Sequence, residues 1–274
     1  MIVVLTEKGE STMSTESVYQ PPIEEAQMEL DYARESRYEV IWDYIINDGE
    51  QHPIAIICPG GGYGAVCSFI EGIPFAKYLN TKGISAVIVY YSIKEKATYP
   101  NPQDDLARAV GEVRDRAEEL KLDFANYSVW GSSAGGHLVA SFGTDNMGYK
   151  KYGLPKPRTS VLIYPVISMD PEVTHLGSKE ALIGVNATKE QIDFASVHLH
   201  VTADYPDTYI WCGDSDSLVP PKNTELMVEA LKAAGVPYAC DVFPGVDHGV
   251  GLATGIAAEG WIDKAIAFWM GRCQ

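Results

Sequence analysis

Short apolar runs alternate with helix-like segments along most of this chain, and this alternation restricts the possible folds more than any other feature. The run PIAIICPGGG, from Pro53, is continuously apolar and then ends in glycines. That pattern is typical of a strand buried on both faces of a parallel sheet. Five similar runs follow it along the chain: ISAVIVYY, YSVW, SVLIYPVI, TYIWC and YACDVF. Strands that alternate with helices predict a mostly parallel sheet covered by helices on both faces.

The segments between these runs carry helix signals. DDLARAVGEVRDRAEEL, from Asp104, places its apolar side chains on one helical face and opens with two aspartates, where the helix dipole favours negative charge. NTELMVEALKAAG and IAAEGWIDKAIAFWM predict two more helices near the C-terminus, and RYEVIWDYII predicts an edge strand. We therefore expect a single α/β domain over residues 1–274, with residues 1–36 as a polar N-terminal arm.

Residues 168–206 interrupt the regular alternation, because they separate two predicted strands by a long stretch without a clear period. A connection of this length inside a compact domain is usually functional. We predict that it forms a small cap-like insertion. Its three histidines, His175, His198 and His200, could touch a substrate there, although a structural role is the expectation for each.

The charge and the cysteine pattern restrict the partners. With 21 Lys and Arg against 37 Asp and Glu, the formal net charge is −16, which repels phosphate backbones and anionic lipid. We expect no nucleic-acid or membrane partner, whereas a neutral small-molecule or oligosaccharide ester meets no such repulsion. Five separated cysteines without metal-ligand spacing predict reduced thiols and no metal site. The absence of a secretory pattern near Met1 predicts a cytoplasmic protein.

Groups that can take part in chemistry follow four of the predicted strands. In chain order, these post-strand segments are PGGGY, GSSAG, GDSD and GVDHG. Ligands of parallel α/β sheets bind beyond the carboxyl ends of the strands, so these four loops should lie together. A glycine loop followed by a serine, a carboxylate and a histidine is the order expected of an α/β-hydrolase nucleophilic site.

Each of three side chains in these loops has a predicted catalytic role. Ser133, in the middle of GSSAG, is the predicted nucleophile on a strained strand-to-helix turn. His248 is the predicted base, because an imidazole accepts and returns protons near neutrality. Asp216 is predicted to orient that imidazole, with Asp214 as the alternative carboxylate. Ser132 is the alternative nucleophile, although its position favours support of the turn.

Backbone donors are also needed, because acyl transfer develops an oxyanion. The N–H groups of Gly61, Gly62 and Ala134 are the predicted donors of this oxyanion hole. Tyr63 could form a wall of the acyl pocket, with core packing as an equal alternative. Cys67 is a possible thiol nucleophile near the glycine loop, but it lacks the strand-to-helix turn. This chemistry requires no metal and no cofactor.

These motifs resemble those of the α/β-hydrolase esterases related to bacterial carbohydrate acetylesterases and to the hormone-sensitive-lipase-like group. The segments that carry the resemblance are PGGGY, GSSAG, GDSDSLVP, PGVDHG, YPNPQDDLARAV, THLGSKEALIG and SVHLHVTADYPDTYIW. The resemblance runs from about Ile54 to the last helix. It implies an α/β-hydrolase fold and a serine esterase that removes O-acetyl groups from sugars or oligosaccharides through a covalent acyl-enzyme. The lipase-like group begins its glycine loop with histidine, whereas this chain has Cys58 and Pro59, which points away from the lipid-esterase branch.

Other functions stay open at the level of sequence. Feruloyl, aryl and lipid carboxylesterases and some peptidases use the same machinery. A nucleotide-binding protein is an alternative from another class, because GGGYGA after a strand fits the looser G-x-G-x-x-A pattern. A dinucleotide site also needs an acidic residue at the end of the next strand, and ISAVIVYYS has none. A non-catalytic binding protein on the same fold is disfavoured by the complete set of serine, histidine and aspartate.

Overall fold

The computed structural model describes residues 37–273, which are built around a seven-stranded sheet. The strands are β1 (Glu39–Tyr44), β2 (His52–Cys58), β3 (Ser85–Tyr90), β4 (Leu122–Ser132), β5 (Thr159–Ile163), β6 (Asp207–Gly213) and β7 (Tyr238–Phe243). Their order across the sheet is β1-β3-β2-β4-β5-β6-β7. β1 runs antiparallel to β3, and every other neighbouring pair is parallel. The prediction of a mostly parallel sheet is confirmed, while the predicted arm over residues 1–36 lies outside the described residues.

Burial along the strands explains their sequence patterns. Strands β3 and β5 are buried along their whole length, as expected for continuous apolar runs with helices on both sides. The two edge strands, β1 and β7, keep partly exposed positions. The segment RYEVIWDYII therefore forms an edge strand, as predicted.

The helices lie on both faces of the sheet. They are α1 (Ser68–Glu71), α2 (Ile73–Thr81), α3 (Asn101–Arg116), α4 (Ser133–Phe142), α5 (Leu176–Ile183), α6 (Lys189–Ala195), α7 (Lys222–Ala234) and α8 (Trp261–Met270). The strand order grows outward from β2 in both directions, so right-handed crossovers place α2 on one face and α3, α4 and α7 on the other. α8 packs beside α2, where the rings of Phe75 and Trp261 lie 5.2 Å apart in an edge-to-face arrangement.

Two predicted helices are shorter than their sequence patterns suggested. The last helix begins at Trp261 rather than near Ile256, because Gly260 adopts a left-handed conformation with φ of 84° and interrupts the helical backbone. The helix that contains Asp104 ends at Arg116, before the end of its apolar stripe. Periodicity located both helices correctly but overestimated their lengths.

Residues 168–206 hold α5, α6 and a 3₁₀ turn at Val197–His200 between β5 and β6. Several hydrogen bonds tie this insertion to the central elements. The Val197 N–H donates to the carbonyl of Ile167 at 3.0 Å, and the His137 Nε2 of α4 contacts the carbonyl of Ala195 at 2.8 Å. The insertion is thus packed against the helix that begins at Ser133.

Glycines allow α4 to start directly against the end of β2. A Cβ atom on Gly135 would lie 2.1 Å from the carbonyl oxygen of Cys58, and a Cβ atom on Gly131 would lie 2.2 Å from the carbonyl oxygen of Gly135. Both distances are far below van der Waals contact with backbone atoms that cannot move aside, so larger side chains do not fit. The glycines of GSSAG are therefore required by close packing at this turn.

We predict that Gly135→Ala destabilises the protein by about 3 kcal/mol, because an added methyl group must displace β2 or α4. Gly111→Ala is the matched control, since Gly111 lies inside α3 and a Cβ there meets no atom within 4 Å. Alanine should stabilise that helix by about 1 kcal/mol. Denaturant unfolding of both variants measures the difference, and equal effects of the two substitutions would contradict the packing argument.

Candidate active site

Ser133 lies at the junction between β4 and α4, on a strained turn. Its φ of 53° places a non-glycine residue in the left-handed region, which costs about 1–3 kcal/mol and persists only where the surrounding structure imposes it. β4 ends at Ser132 and the helix begins at Ser133 without an intervening loop. This geometry holds the serine at the carboxyl end of the sheet, where its hydroxyl meets the loop that follows β7.

Hydrogen bonds join Ser133, His248 and Asp216 into a continuous chain. His248 Nε2 lies 2.8 Å from Ser133 Oγ, and His248 Nδ1 lies 2.7 Å from Asp216 Oδ2. The Asp216 side chain is fully buried, and its other oxygen accepts from the backbone N–H groups of Leu218 and Val219. Because an ionised carboxylate only accepts, Nδ1 carries the imidazole proton, and Nε2 is left to accept the serine proton.

The competing aspartates hold the neighbouring loops together. Asp214 Oδ1 accepts from the Gly245 N–H at 2.7 Å, which joins the loop after β6 to the loop after β7. Asp247 Oδ1 accepts from the N–H groups of Ser217 and His248 at 2.9 and 2.8 Å. Both carboxylates therefore brace the position of the imidazole from outside, while Asp216 is the one in contact with it. Ser132 is the N-cap residue of α4, and the imidazole contacts Ser133 instead.

The glycine loop after β2 lies beside the serine. Gly61 and Gly62 line the same cleft as Ser133, and within residues 37–273 their N–H groups donate to no protein acceptor. The Gly61 carbonyl accepts from Ala65 N–H at 3.0 Å, so this carbonyl is used inside the loop. Ala134 is the second residue of α4, and its N–H belongs to the first helical turn, which has no intrahelical acceptor. The positions of these three N–H groups suit the role of oxyanion donors, and this role stays a prediction.

A buried carboxylate supports the glycine loop from behind. Glu71 Oε2 accepts from the Gly60 N–H at 2.7 Å, and Glu71 Oε1 accepts from the Tyr164 hydroxyl at 2.8 Å. The Tyr164 ring in turn lies edge-on to the His248 ring, with 4.8 Å between centroids. Burial raises the pKa of Glu71, and both hydrogen bonds oppose that rise. Sequence reasoning missed Glu71, although a single acidic residue in the apolar segment SFIEGIPF was a usable signal.

Tyr63 packs inside the protein, which favours the core-packing alternative over a place in the wall of the acyl pocket. Its side chain has no exposed surface, and its hydroxyl lies 2.8 Å from His137 Nδ1. His137 Nε2 lies 2.8 Å from the carbonyl of Ala195, which only accepts, so Nε2 carries the proton and Nδ1 accepts from Tyr63. These bonds connect the glycine loop, α4 and the insertion. Burial lowers the pKa of His137 to about 4, so this imidazole is neutral near pH 7.

A cleft of about 360 Å³ opens onto the serine, a size that suits a small ligand. The residues that line it come from the glycine loop, α1, the insertion and the loops after β4, β6 and β7: Gly61, Gly62, Cys67, Ile70, Glu71, Ser133, His175, Leu218, His248 and Gly249. Cys67 is in this set, but the imidazole of His248 is directed at Ser133. Of the three histidines in the insertion, His175 alone lines the cleft. His200 instead contacts the carbonyl of Asp193 through Nε2.

Residues 37–273 contain neither a cluster of metal ligands nor a helix suited to span a membrane. No group of His, Cys, Asp or Glu side chains in this range is arranged to hold a metal ion. No helix in the same range combines the length and the apolar character that a membrane span needs.

A mostly parallel sheet with a serine on a strand-to-helix turn, met by a histidine after the last strand and an aspartate after the strand before it, defines an α/β-hydrolase. More narrowly, the family model described as BD-FAE matches residues 44–231, and the chain belongs to that family.

Two curated relatives are 30% identical to this chain over the segments that align with it. This chain is 30% identical to endo-1,4-beta-xylanase B of Butyrivibrio fibrisolvens over 246 residues. That alignment covers 85% of this chain and 38% of the relative. The chain is also 30% identical over 224 residues to acetylxylan esterase of Xylanibacter ruminicola, in an alignment that covers 77% of this chain and 44% of the relative. The chain therefore spans less than half the length of these two proteins.

Solved structures agree with this placement. The acetyl ester-xyloside bifunctional hydrolase from Caldicellulosiruptor lactoaceticus is 34% identical, with a TM-score of 0.78 over 88% of this chain and 90% of that one. The carboxylesterase Cest-2923 from Lactobacillus plantarum WCFS1, at 23% identity and a TM-score of 0.70 over 88% and 94% of the two chains, supports the fold. Fold, site and relatives together place the chain among the carboxylic ester hydrolases of the α/β-hydrolase fold.

We predict that His137 makes stability depend on pH. A folded-state pKa of about 4, below the ordinary value of 6.5, means that protonation favours the unfolded chain, so stability is complete above pH 6.5 and is lost as the pH falls from 6.5 to 4. The loss should reach about 3 kcal/mol. Denaturant unfolding between pH 7 and pH 4 should therefore show a steeper decline for the wild type than for His137→Gln. Parallel declines would contradict this assignment.

Proposed function

We propose that Ser133, His248 and Asp216 form a catalytic triad that hydrolyses short-chain esters through a covalent acyl-enzyme. One observation carries this proposal. A hydrogen-bonded chain runs from Asp216 Oδ2 through both imidazole nitrogens to Ser133 Oγ, with separations of 2.7 and 2.8 Å, at the wall of an open cleft. A serine hydroxyl is a weak nucleophile until a base removes its proton, and this arrangement supplies the base.

In the acylation half-reaction, Ser133 Oγ attacks the ester carbonyl carbon while His248 Nε2 takes the hydroxyl proton. Asp216 stabilises the imidazolium that forms and holds it in orientation. The carbonyl oxygen becomes an oxyanion, and the N–H groups of Gly61, Gly62 and Ala134 donate to it. The tetrahedral intermediate collapses when the bond to the alcohol oxygen breaks, and His248 returns its proton to that departing alcohol.

In the deacylation half-reaction, a water molecule enters the position that the alcohol has left. His248 Nε2 removes a proton from this water as the oxygen attacks the acyl carbon, and the same backbone donors stabilise the second oxyanion. The bond to Ser133 Oγ then breaks, the proton returns to Ser133, and the carboxylic acid is released. The side chains end in their starting protonation states, so no cofactor is consumed.

We further propose that the substrate is an O-acetyl group on a sugar or an oligosaccharide. Two of the relatives carry names that refer to acetyl esters of xylan or xyloside. The net charge of −16 favours a neutral substrate over a polyanion, and we expect neither nucleic acid nor a membrane as partner. Ile70 and Glu71 bound the cleft near the serine, and a buried carboxylate is a poor neighbour for a long apolar acyl chain.

The glycine loop does not favour the nucleotide-binding alternative. The Gly60 N–H already donates to the Glu71 carboxylate, so it is not available to a phosphate bound by the loop. The loop is therefore better suited to an oxyanion that forms during acyl transfer at Ser133 than to a permanently charged phosphate.

We predict that Ser133→Ala lowers kcat for acetyl ester hydrolysis by about 10⁶-fold, because it removes the nucleophile of the triad. Asp216→Asn should lower kcat less severely, because the imidazole loses its ionised partner and correct tautomer but remains in place. Asp214→Asn is the matched control, since its amide oxygen can still accept from the Gly245 N–H. Steady-state kinetics should rank Ser133→Ala below Asp216→Asn and keep Asp214→Asn near the wild type. The reverse order of the two aspartate variants would show that the acid had been assigned to the wrong residue.

We predict that acetyl esters are hydrolysed faster than butyryl or longer esters of the same alcohol, because the buried Glu71 carboxylate in the lining of the cleft disfavours a longer apolar acyl chain. Purified protein should be incubated with acetylated xylo- and manno-oligosaccharides and with acyl esters of increasing chain length, and kcat/KM compared. Release of acetate from the oligosaccharides supports the sugar substrate. A preference for butyrate or longer acyl groups, or for feruloyl esters, would reject the acetylesterase assignment and leave the triad in place.

A further inference from the structure

We propose that His175 is a substrate-binding residue whose Nε2–H donates a hydrogen bond to a hydroxyl group next to the ester on the leaving alcohol. The favoured substrate would then be an acetylated polyol rather than a simple alkyl acetate. This inference rests on the proposed esterase function and specifies which feature of the alcohol the site recognises.

The first observation is the position of His175. It precedes α5 in the insertion and lines the cleft together with Ser133 and His248. Its Cε1 lies 3.2 Å from the point where a Cβ atom on Gly62 would stand, so the imidazole lies directly against the glycine loop. A Cβ atom at position 62 would stand closer to the ring than an ordinary van der Waals contact, so the ring would have to shift slightly. The insertion thus contributes one polar ring to the wall of the cleft, half-buried, beside the predicted oxyanion donors.

The second observation is that contacts with Ser178 decide which ring nitrogen carries the proton. The backbone N–H of Ser178 donates to His175 Nδ1 at 3.3 Å, and the Ser178 hydroxyl lies 2.8 Å from the same nitrogen. A backbone N–H cannot accept, so Nδ1 has no proton and the neutral ring carries it on Nε2. Burial, followed by the proximity of His248, lowers the pKa of His175 and keeps the ring neutral.

The Nε2–H of His175 is therefore a donor that is available to a ligand. Among residues 37–273, Nε2 of this ring makes no hydrogen bond. Neither the fold nor α5 uses this donor, because the capping contact is made entirely through Nδ1. A half-buried donor at the wall of a binding cleft is suited to a ligand acceptor.

The chemistry of the substrate restricts what that acceptor can be. The methyl group of an acetyl ester offers no acceptor. Its carbonyl oxygen accepts from the N–H groups of the glycine loop and α4 in the proposed reaction. The remaining candidate is the alcohol. A hydroxyl group next to the ester, as in a sugar ring, offers lone pairs to Nε2–H while the ester oxygen faces His248. A neutral donor also avoids repulsion with the imidazolium that forms on His248 during the reaction.

The test compares acetylated sugars, which carry hydroxyl groups next to the ester, with an acetate on a ring of the same size that carries none. The first is the set of 2-, 3- and 4-O-acetyl isomers of methyl β-D-xylopyranoside, and the second is tetrahydropyran-3-yl acetate, which has the same ring size without hydroxyls. His175→Phe keeps an aromatic ring and removes Nε2–H. It should lower kcat/KM for the acetylated xyloside by about 10- to 100-fold, the scale of one lost hydrogen bond to a polar substrate group. It should leave the tetrahydropyranyl ester within about twofold of wild type.

Two further variants separate binding from folding. Ser178→Ala leaves the His175 ring in place but removes the hydroxyl that orients it, so kcat/KM should fall by about three- to tenfold for the acetylated xyloside alone. His200→Phe changes another histidine of the insertion, one outside the cleft, and should leave both substrates unaffected. The retained rate of His175→Phe on tetrahydropyran-3-yl acetate also shows that the site has folded.

Other results would overturn the inference in distinguishable ways. An equal loss on both esters would assign His175 to the oxyanion or to folding, and no loss on either would show that it binds nothing. A wild-type enzyme that prefers the tetrahydropyranyl ester would reject the polyol inference while the esterase function stands. A wild-type protein that hydrolyses neither ester would reject the esterase function and this inference together.

Discussion

The close contact between the turn that carries Ser133 and the end of β2 is the constraint on which the rest of the site depends. Gly135 leaves no room for a side chain against the Cys58 carbonyl, so α4 begins as near to β2 as two backbones can approach. The same proximity brings the glycine loop alongside the serine, because a Cβ atom on Gly60 would lie 2.8 Å from the Ser133 Cβ. Nucleophile and backbone donors are therefore positioned by one packing contact between the first turn of α4 and the end of β2.

The remaining groups of the site are held by polar contacts among the loops. Asp214 and Asp247 link the loops after β6 and β7, and these links help to position the imidazole of His248. Glu71 performs a similar task behind the glycine loop, where it accepts from a backbone N–H and from the hydroxyl of Tyr164. Burying a carboxylate costs much less free energy when two donors hydrogen-bond to it than when none does. Preorganisation here rests on acidic side chains that do not themselves react.

Much of the fold and the core of the site could be predicted from the sequence, because both follow from local patterns. Continuous apolar runs identified the buried strands, and post-strand positions selected Ser133, Asp216 and His248 as the residues to meet. The geometry brings these three together, while their chemical roles rest on the kinetic tests. For Tyr63 the sequence left core packing and a place in the pocket wall equally open, because its position beside the glycine loop did not reveal that its hydroxyl turns inward to His137. Glu71 and His175 acquire their meaning only from contacts with residues distant in the chain, which periodicity and motif spacing do not encode.

The bonds from Tyr63 through His137 to the carbonyl of Ala195 have a consequence for how this enzyme can diversify. Residues 168–206 are joined to the glycine loop by hydrogen bonds through two uncharged side chains, so a replacement for the insertion would also have to supply an acceptor to His137 Nε2. A replacement segment without a carbonyl at the position of Ala195 would leave the buried Nε2–H of His137 without an acceptor. It would also weaken the contact that holds Tyr63 in the glycine loop. Changes in selectivity are thus more readily reached by substitutions on the inner surface of the existing insertion than by its replacement.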